Sequence, residues 1–350
     1  MEPEAERTEV DATIGTVAVA RLPRRDDVWR VRVDRLASDG EGEVRACVQL
    51  PTESEPRWLR GTIRRALPDD VLRVRVGGLH RGVLTMQPLH LVSRTAPTVP
   101  AACSHFAADP TVRTACGGCT WQSMPEDAQR RAKSDRVALL LRGAGLDPAL
   151  VRPALRSPVL WSYRNKMEFS FGRSLAGGLG LGLRPPGYRR EVLDQRECRI
   201  ASPAVAELVP WIRARLAEQG LEPWDERGSG CLRTLMVREG KRTGERMVEL
   251  VTHQDPPESG GVVDPDVERR VVETLTALPT FAREAGITLD SVWWTRQVAG
   301  RGVRTRLEST LVGGNEEIEE RLHVDGRSFG FSVHPRSFFQ PNTMGAEVLY

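Results

Sequence analysis

The sequence predicts a multi-domain protein in which a small, OB-like antiparallel β-barrel precedes a larger α+β domain. Three observations carry this expectation. The chain has 350 residues, room for two or three domains of ordinary size. Residues 28–92 alternate apolar and polar side chains with period two, interrupted by turn signals. From residue 150 onward, strand-like and helix-like periods are interleaved in one stretch.

Taken in order, residues 1–25 read as a flexible acidic tail, opening on "MEPEAERTEV". In the barrel segment, "VWRVRVD" sets Trp29, Val31 and Val33 against Arg30, Arg32 and Asp34. "VLRVRVGG" sets Leu72, Val74 and Val76 against Arg73 and Arg75. One apolar and one polar face per strand is the pattern of half-buried antiparallel strands. "SDGEGE" and "LPDD" supply turns, and about five short strands in this space suggest a small closed barrel. Its outward arginines are either a solvated face or a cationic wall for a nucleic-acid backbone. Residues 96–122 are loop-rich. Ser123 followed by Glu126 has the capping-box spacing, and Val137, Leu140 and Leu141 supply the apolar stripe of a helix ended by Gly143 and Gly145.

Further on, "MEFSFG" and "LGLGLRPPGYRREVL" read as a strand pair. Residues 203–220 have helical spacing with a kink expected at Pro210. "CLRTLMVREG" and "RMVELVTH" read as a hairpin, "DVERRVVETLTAL" as a helix and "SVWWTRQV" as a strand. The glycine run 177–182 lacks dinucleotide-fingerprint spacing and is followed by no helix. A last helix, capped by Asn342 or Thr343, stops at Tyr350 after barely two turns, which suggests a fragment.

Net charge is +3, too mild to identify a nucleic-acid partner by itself. No basic segment leads into an apolar leader, and no apolar run is long enough to span a bilayer. The expectation is a cytoplasmic protein with no membrane association. Thiols stay reduced in that compartment, so clustered cysteines point to metal or redox chemistry rather than disulfides.

"ACGGCTW" carries Cys116 and Cys119 in a C-x-x-C arrangement, with Cys103 upstream and Cys198 far downstream. Two glycines between thiols allow a tight loop and bring backbone N–H groups close to sulfur. Three readings are open: structural zinc, an iron–sulfur cluster, and a coincidence of buried cysteines. Zinc usually takes two paired knuckles or a Cys/His pair. Four cysteines in uneven three-plus-one spacing suit a cluster best. Cys47 and Cys231 sit within strand patterns and read as small buried hydrophobes.

With these residues in view, the chain from about 26 to 350 resembles the SAM-dependent RNA (uracil-5-)methyltransferases. The barrel resembles the family's TRAM domain, an RNA-binding module. "CSHF" with "CGGCTWQ" resembles its cluster loop, and "QRECRI" the site of its distant fourth ligand. "YRNKMEFSFG" at 163–172 and "HPRSFFQPNT" at 334–343 resemble two further signatures. The resemblance implies a [4Fe-4S] cluster on Cys103, Cys116, Cys119 and Cys198, and an S-adenosylmethionine contact at Gln340. It places Arg164, Asn165 and Lys166 near RNA or the active-site cleft, with Phe338 or Phe339 facing the target base. Twelve residues separate Cys103 from Cys116, more than the family pattern has, and loops accept such insertions cheaply.

The implied domains are the tail at 1–25, the TRAM barrel at 26–95, a central α+β domain with the cluster loop at 96–340, and the start of a methyltransferase domain at 341–350. On this reading the Rossmann-like SAM domain, with its nucleophilic cysteine, is missing after Tyr350. The expected function is RNA uracil-5-methylation of rRNA or tRNA, by a protein of which this chain alone would be inactive. The rival is a non-catalytic RNA-binding protein with a four-cysteine zinc or Fe–S site. No protein partner is evident in the sequence.

Overall fold

The structure, a computed structural model, describes residues 10–13, 15–225, 230–257 and 264–350. The chain divides into two compact units, Met1–Ala115 with Cys119–Leu155, and Cys116–Gly118 with Arg156–Tyr350.

The first unit is built on seven strands: β1 (Val10–Ala12), β2 (Thr16–Ala18), β3 (Val28–Leu36), β4 (Gly42–Gln49), β5 (Arg57–Ile63), β6 (Val71–His80) and β7 (Val83–Ser93). Five of them close a ring in the order β3, β4, β5, β7, β6 and back to β3. The alternating apolar residues point inward as the period of two demands: Trp29, Val31, Val33, Val44, Leu59, Leu72, Val74 and Val76 form one buried core. Each large side chain so buried contributes about 1.5–3 kcal/mol relative to exposure.

The expected all-antiparallel barrel is corrected. β5 and β7 run parallel, and so do β1 with β3 and β2 with β4. The reason for the first is topological: a closed ring with an odd number of strands cannot alternate direction at every step. The tail is corrected too. Its residues 1–9 and 14 lie outside the described residues, but Val10–Ala12 and Thr16–Ala18 are strands, because Val10, Ala12 and Val17 find apolar cover on the barrel core.

The loop after β7 is strapped to the barrel. Buried Asp70 pairs with Arg94 at 2.6 Å, and Arg94 also donates to the Ala108 carbonyl at 2.9 Å. Arg65, buried at a positive φ of 61°, donates to the carbonyls of Ala107 and Val112. Trp121 Nε1 donates to the Gly40 carbonyl at 2.6 Å. The helix expected here is α1 (Glu126–Gly143), followed by a 3-10 turn at Pro148–Leu150. The capping box does not form: Pro125 occupies the cap without a side-chain bond, and Ser123 is buried before it. None of α1 is buried, so its predicted apolar stripe leaves Val137 and Leu140 exposed.

The second unit holds β8 (Lys166–Ser174), β9 (Leu179–Leu183), β10 (Glu191–Asp194), α2 (Ala204–Glu218), β11 (Leu232–Glu239), β12 (Arg246–Gln254), α3 (Pro265–Glu284), β13 (Ser291–Val298), β14 (Arg306–Gly314), β15 (Ile318–Val324), β16 (Arg327–Val333) and α4 (Thr343–Leu349). A seven-stranded mixed sheet runs β10, β9, β8, β11, β12, β13, β14. β12, α3 and β13 form a strand–helix–strand unit whose two strands are parallel. α2 continues through Pro210 from Ala204 to Glu218.

Val205, Leu208 and Ile212 of α2 and Val271, Leu275 and Leu278 of α3 pack with Phe169, Phe171, Val248, Leu250 and Trp294. Trp211 and Phe281 stack between the helices at 4.7 Å. A second cluster joins Ile318 and Val333 of the β15–β16 hairpin to Met236, Met247 and Trp293. In β11, β12 and β13 neighbouring residues divide between the two clusters, as with Val237 against Met236, Val248 against Met247 and Trp294 against Trp293. Among the described residues no helix is long and apolar enough to cross a membrane.

Candidate functional site

The two signature segments of the second unit, 163–172 and 334–343, come together at the start of β8. Arg164 bridges to Asn342, and Asn165 N–H donates to the Pro341 carbonyl at 3.0 Å. The Asn165 side chain is buried and completes the join. Its Nδ2 donates to the Gln340 carbonyl at 2.7 Å and to Thr343 Oγ1 at 3.0 Å. Thr343 Oγ1 in turn donates to Glu320 Oε2 at 2.7 Å. Glu320 also accepts from the Lys241 and Arg242 N–H groups at 2.8 and 2.9 Å. Asn342 caps α4, accepting from Gly345 N–H at 2.8 Å.

Next to this join, Arg238 at the end of β11 donates to the carbonyls of His334 and Ser337 at 2.8 and 2.7 Å. Its neighbour Glu239 accepts from Lys241 and Arg246, each at 2.6 Å, and from Ser202. Burial works to raise the Glu239 carboxyl, but the Lys241 charge and these hydrogen bonds outweigh it and hold it below the usual range. Burial lowers the Arg238 guanidinium, opposed by Glu249 and Glu168. Asn165, Arg238, Glu239, Ile318, Glu320, Val333 and Phe339 line a small cleft. Its polar lining groups are all bonded to protein, so it is a joint that holds loop 334–342 in place. Arg238, Glu239 and Glu320 were not singled out from sequence, and Thr343 was read only as a candidate helix cap. The available signal was "VREG", two adjacent charges closing the apolar run Leu235–Val237.

The expected RNA-facing residues separate. Asn165, expected near RNA or the active-site cleft, faces inward with its side chain bonded to protein. Arg164 is exposed, and Lys166 pairs with Glu168 at 2.7 Å. Phe339 is half-buried in the second apolar cluster, edge-on to Phe331 at 5.4 Å, whereas Phe338 is 82% exposed. Gln340 is half-buried, and its Nε2 donates to the Tyr350 hydroxyl at 3.2 Å.

None of the six cysteines is in a disulfide. Cys103 and Cys119 belong to the first unit, Cys116 and Cys198 to the second. At Cys116 the loop geometry suits a thiolate: Gly118 N–H donates to its Sγ at 3.3 Å. Gly117 N–H donates to the Arg184 carbonyl at 3.1 Å, and a Cβ there would meet that oxygen at 2.2 Å, so only glycine fits. Among the described residues, however, no group of three or more Cys, His, Asp or Glu is assembled that could hold a metal ion. The donor chemistry fits a cluster, and the assembled site is not seen. Cys231 is a different case: burial pushes its thiol up to about 11.

No protein-family model matches the chain. It is 30% identical over 322 residues to an uncharacterized RNA methyltransferase of Nitratidesulfovibrio vulgaris, covering 91% of this chain and 61% of that one. An uncharacterized RNA methyltransferase of Protochlamydia amoebophila is 29% identical over 266 residues, 72% of this chain and 55% of that one. A 23S rRNA (uracil(747)-C(5))-methyltransferase of Pyrococcus horikoshii is 29% identical over 284 residues, 81% of this chain and 58% of that one. The chain thus spans 55% to 61% of the length of these relatives. In fold, it is similar to the crystal structure of Pyrococcus abyssi tRNA (uracil-54, C5)-methyltransferase in complex with S-adenosyl-L-homocysteine. The TM-score is 0.58 at 23% identity, covering 91% of this chain and 63% of that one.

The expectation of a truncated chain lacking its SAM domain rested on where the sequence stops and is withdrawn. Likeness to methyltransferases runs through 91% of the residues present, and nothing about activity follows from the place where the sequence stops. The inactive-fragment reading and its non-catalytic rival lose their basis with it.

Proposed function

From the premise that this chain belongs to the RNA (uracil-5-)methyltransferase family, we propose that it serves S-adenosylmethionine-dependent methylation of uridine C5 in ribosomal or transfer RNA. The observation that carries this reading is the buried join at Asn165. Two segments 175 residues apart, each matching a family signature, are fixed against one another there. In this reading Gln340 contacts the cofactor, with its backbone held by Asn165. Arg164 and Lys166 lie on the RNA side, and Phe338 is the aromatic residue turned outward for a base. Phe339 supports it from the apolar cluster. The barrel is the RNA-binding module.

Deletion of the gene followed by nucleoside analysis of separated rRNA and tRNA tests the activity. One pool is expected to lose 5-methyluridine, which also identifies the substrate class. Unchanged 5-methyluridine in both pools would overturn the proposal.

The same reading gives Cys103, Cys116, Cys119 and Cys198 a [4Fe-4S] cluster, supported by their spacing and by the N–H···S contact at Cys116. When bound, it would cross-link the loop at 116–119 to the segment carrying Cys198. Anaerobically purified protein should contain iron and sulfide in about four equivalents each, lost in Cys116→Ser. One zinc without sulfide would refute the cluster.

A further inference from the structure

The outer face of β4 and β5 carries a feature that the join does not explain. Trp58 is 59% exposed, the only tryptophan of the barrel strands turned outward, whereas Trp29 is buried. The Arg45 guanidinium lies 4.9 Å from the Trp58 ring centroid. Across the ladder Arg45 stands directly opposite Arg60. Like charges in register cost stability rather than adding to it. Arg60 has no ion pair among the described residues, and Arg57 at the head of β5 is held by Glu53. The strand pair therefore shows an exposed aromatic plane beside two arginines set opposite each other, an arrangement suited to a nucleic acid.

The topology marks the same place. β4 and β5 are the second and third strands of the closed ring. In barrels of the OB type, that face takes oligonucleotides. A second arginine pair, Arg30 opposite Arg73, lies on β3 and β6, with Arg73 opposite His90 of β7. No Phe, Tyr or Trp of those three strands is exposed, so it can attract phosphates but cannot stack a base.

We propose that the β4–β5 face is a stacking platform for an unpaired RNA base, with Trp58 as the plane and Arg45 and Arg60 meeting the flanking phosphates. The proposal rests on the RNA reading above and adds selectivity to it. Bases of a duplex are hidden in their own stack and cannot lie on the ring, whereas an unpaired nucleotide can.

Anisotropy titrations with a labelled short oligouridylate and with a labelled RNA duplex test this. Trp58→Ala is expected to weaken oligouridylate binding about tenfold, the loss of one stacked base, and to leave duplex binding unchanged. Trp58→Phe should retain most of the affinity. The double substitution Arg30→Ala, Arg73→Ala should weaken both ligands and flatten the salt dependence. Trp58→Ala binding oligouridylate like the parent, or losing both ligands equally, would overturn the platform and leave the RNA reading standing. Parent protein that binds neither ligand would overturn the RNA reading itself.

Discussion

Replacing Asn165 with alanine tests whether the join is a structural necessity. The substitution removes two hydrogen bonds, a part-buried one to the Gln340 carbonyl at 2.7 Å and a buried one to Thr343 Oγ1 at 3.0 Å. Each is worth about 1 kcal/mol net, and the Gln340 carbonyl, only partly buried, adds at most about 2 kcal/mol when stranded. Thr343 keeps its bond to Glu320, so its hydroxyl is not stranded. The backbone bonds from Asn165 to Pro341 and from Glu239 to Asn165 also survive. The expected cost is about 2–4 kcal/mol. Urea unfolding should show a lower midpoint with an unchanged slope. Hydrogen exchange should speed up first at residues 340–346. Combined with Thr343→Val, the effects should fall short of additivity by at least about 0.5 kcal/mol, since the two side chains share a bond. A loss below about 0.5 kcal/mol, or strict additivity with Thr343→Val, would refute the view that Asn165 clamps this loop.

Three further outcomes follow from the geometry. Glu239 has a depressed pKa in the folded state, so its contribution is fully present above the ordinary glutamate value of about 4.3 and is lost as pH falls through the lower folded value. Stability of Glu239→Gln measured across that window should fall less steeply with acid than that of the parent. Cys231, with its thiol at about 11, should react with iodoacetamide at pH 8 far more slowly than an ordinary thiol, as peptide mass spectrometry would show. Arg94→Ala strands the buried Asp70 carboxylate and should cost about 3–5 kcal/mol in chemical unfolding, with faster tryptic cleavage at Arg113 as the loop comes loose.

Much of this architecture was legible because it obeys a period. Trp29, Val31 and Val33 alternate with arginines and aspartate, and "SVWWTRQV" matches β13 residue for residue. Periodicity says which face could be buried, but not whether anything covers it. Val137 and Leu140 have the spacing of a packed helix and remain exposed on α1. Ser123 and Glu126 have capping spacing, yet Pro125 between them is the residue that starts the helix. β14 and β16 escaped notice because few of their residues are buried, so they carry little alternation. Asn165 was legible as important but not in its orientation. A polar residue next to arginine and lysine reads as surface until Gln340 and Thr343 are seen to close over it.

The join also has a consequence for how the protein is made on the ribosome. β8 can pair with β9 almost as soon as both have emerged, since only a short turn separates them. Asn165, at the entrance to that same strand, must wait for partners 175 and 178 residues further along. At about 5–20 residues per second, translation leaves its amide without them for roughly 10–35 seconds. The sheet of the second unit is thus expected to stand as a nascent, unlocked intermediate for that interval. Its last step of maturation would be the arrival of a few residues around Thr343, the point at which a chaperone would have to let go.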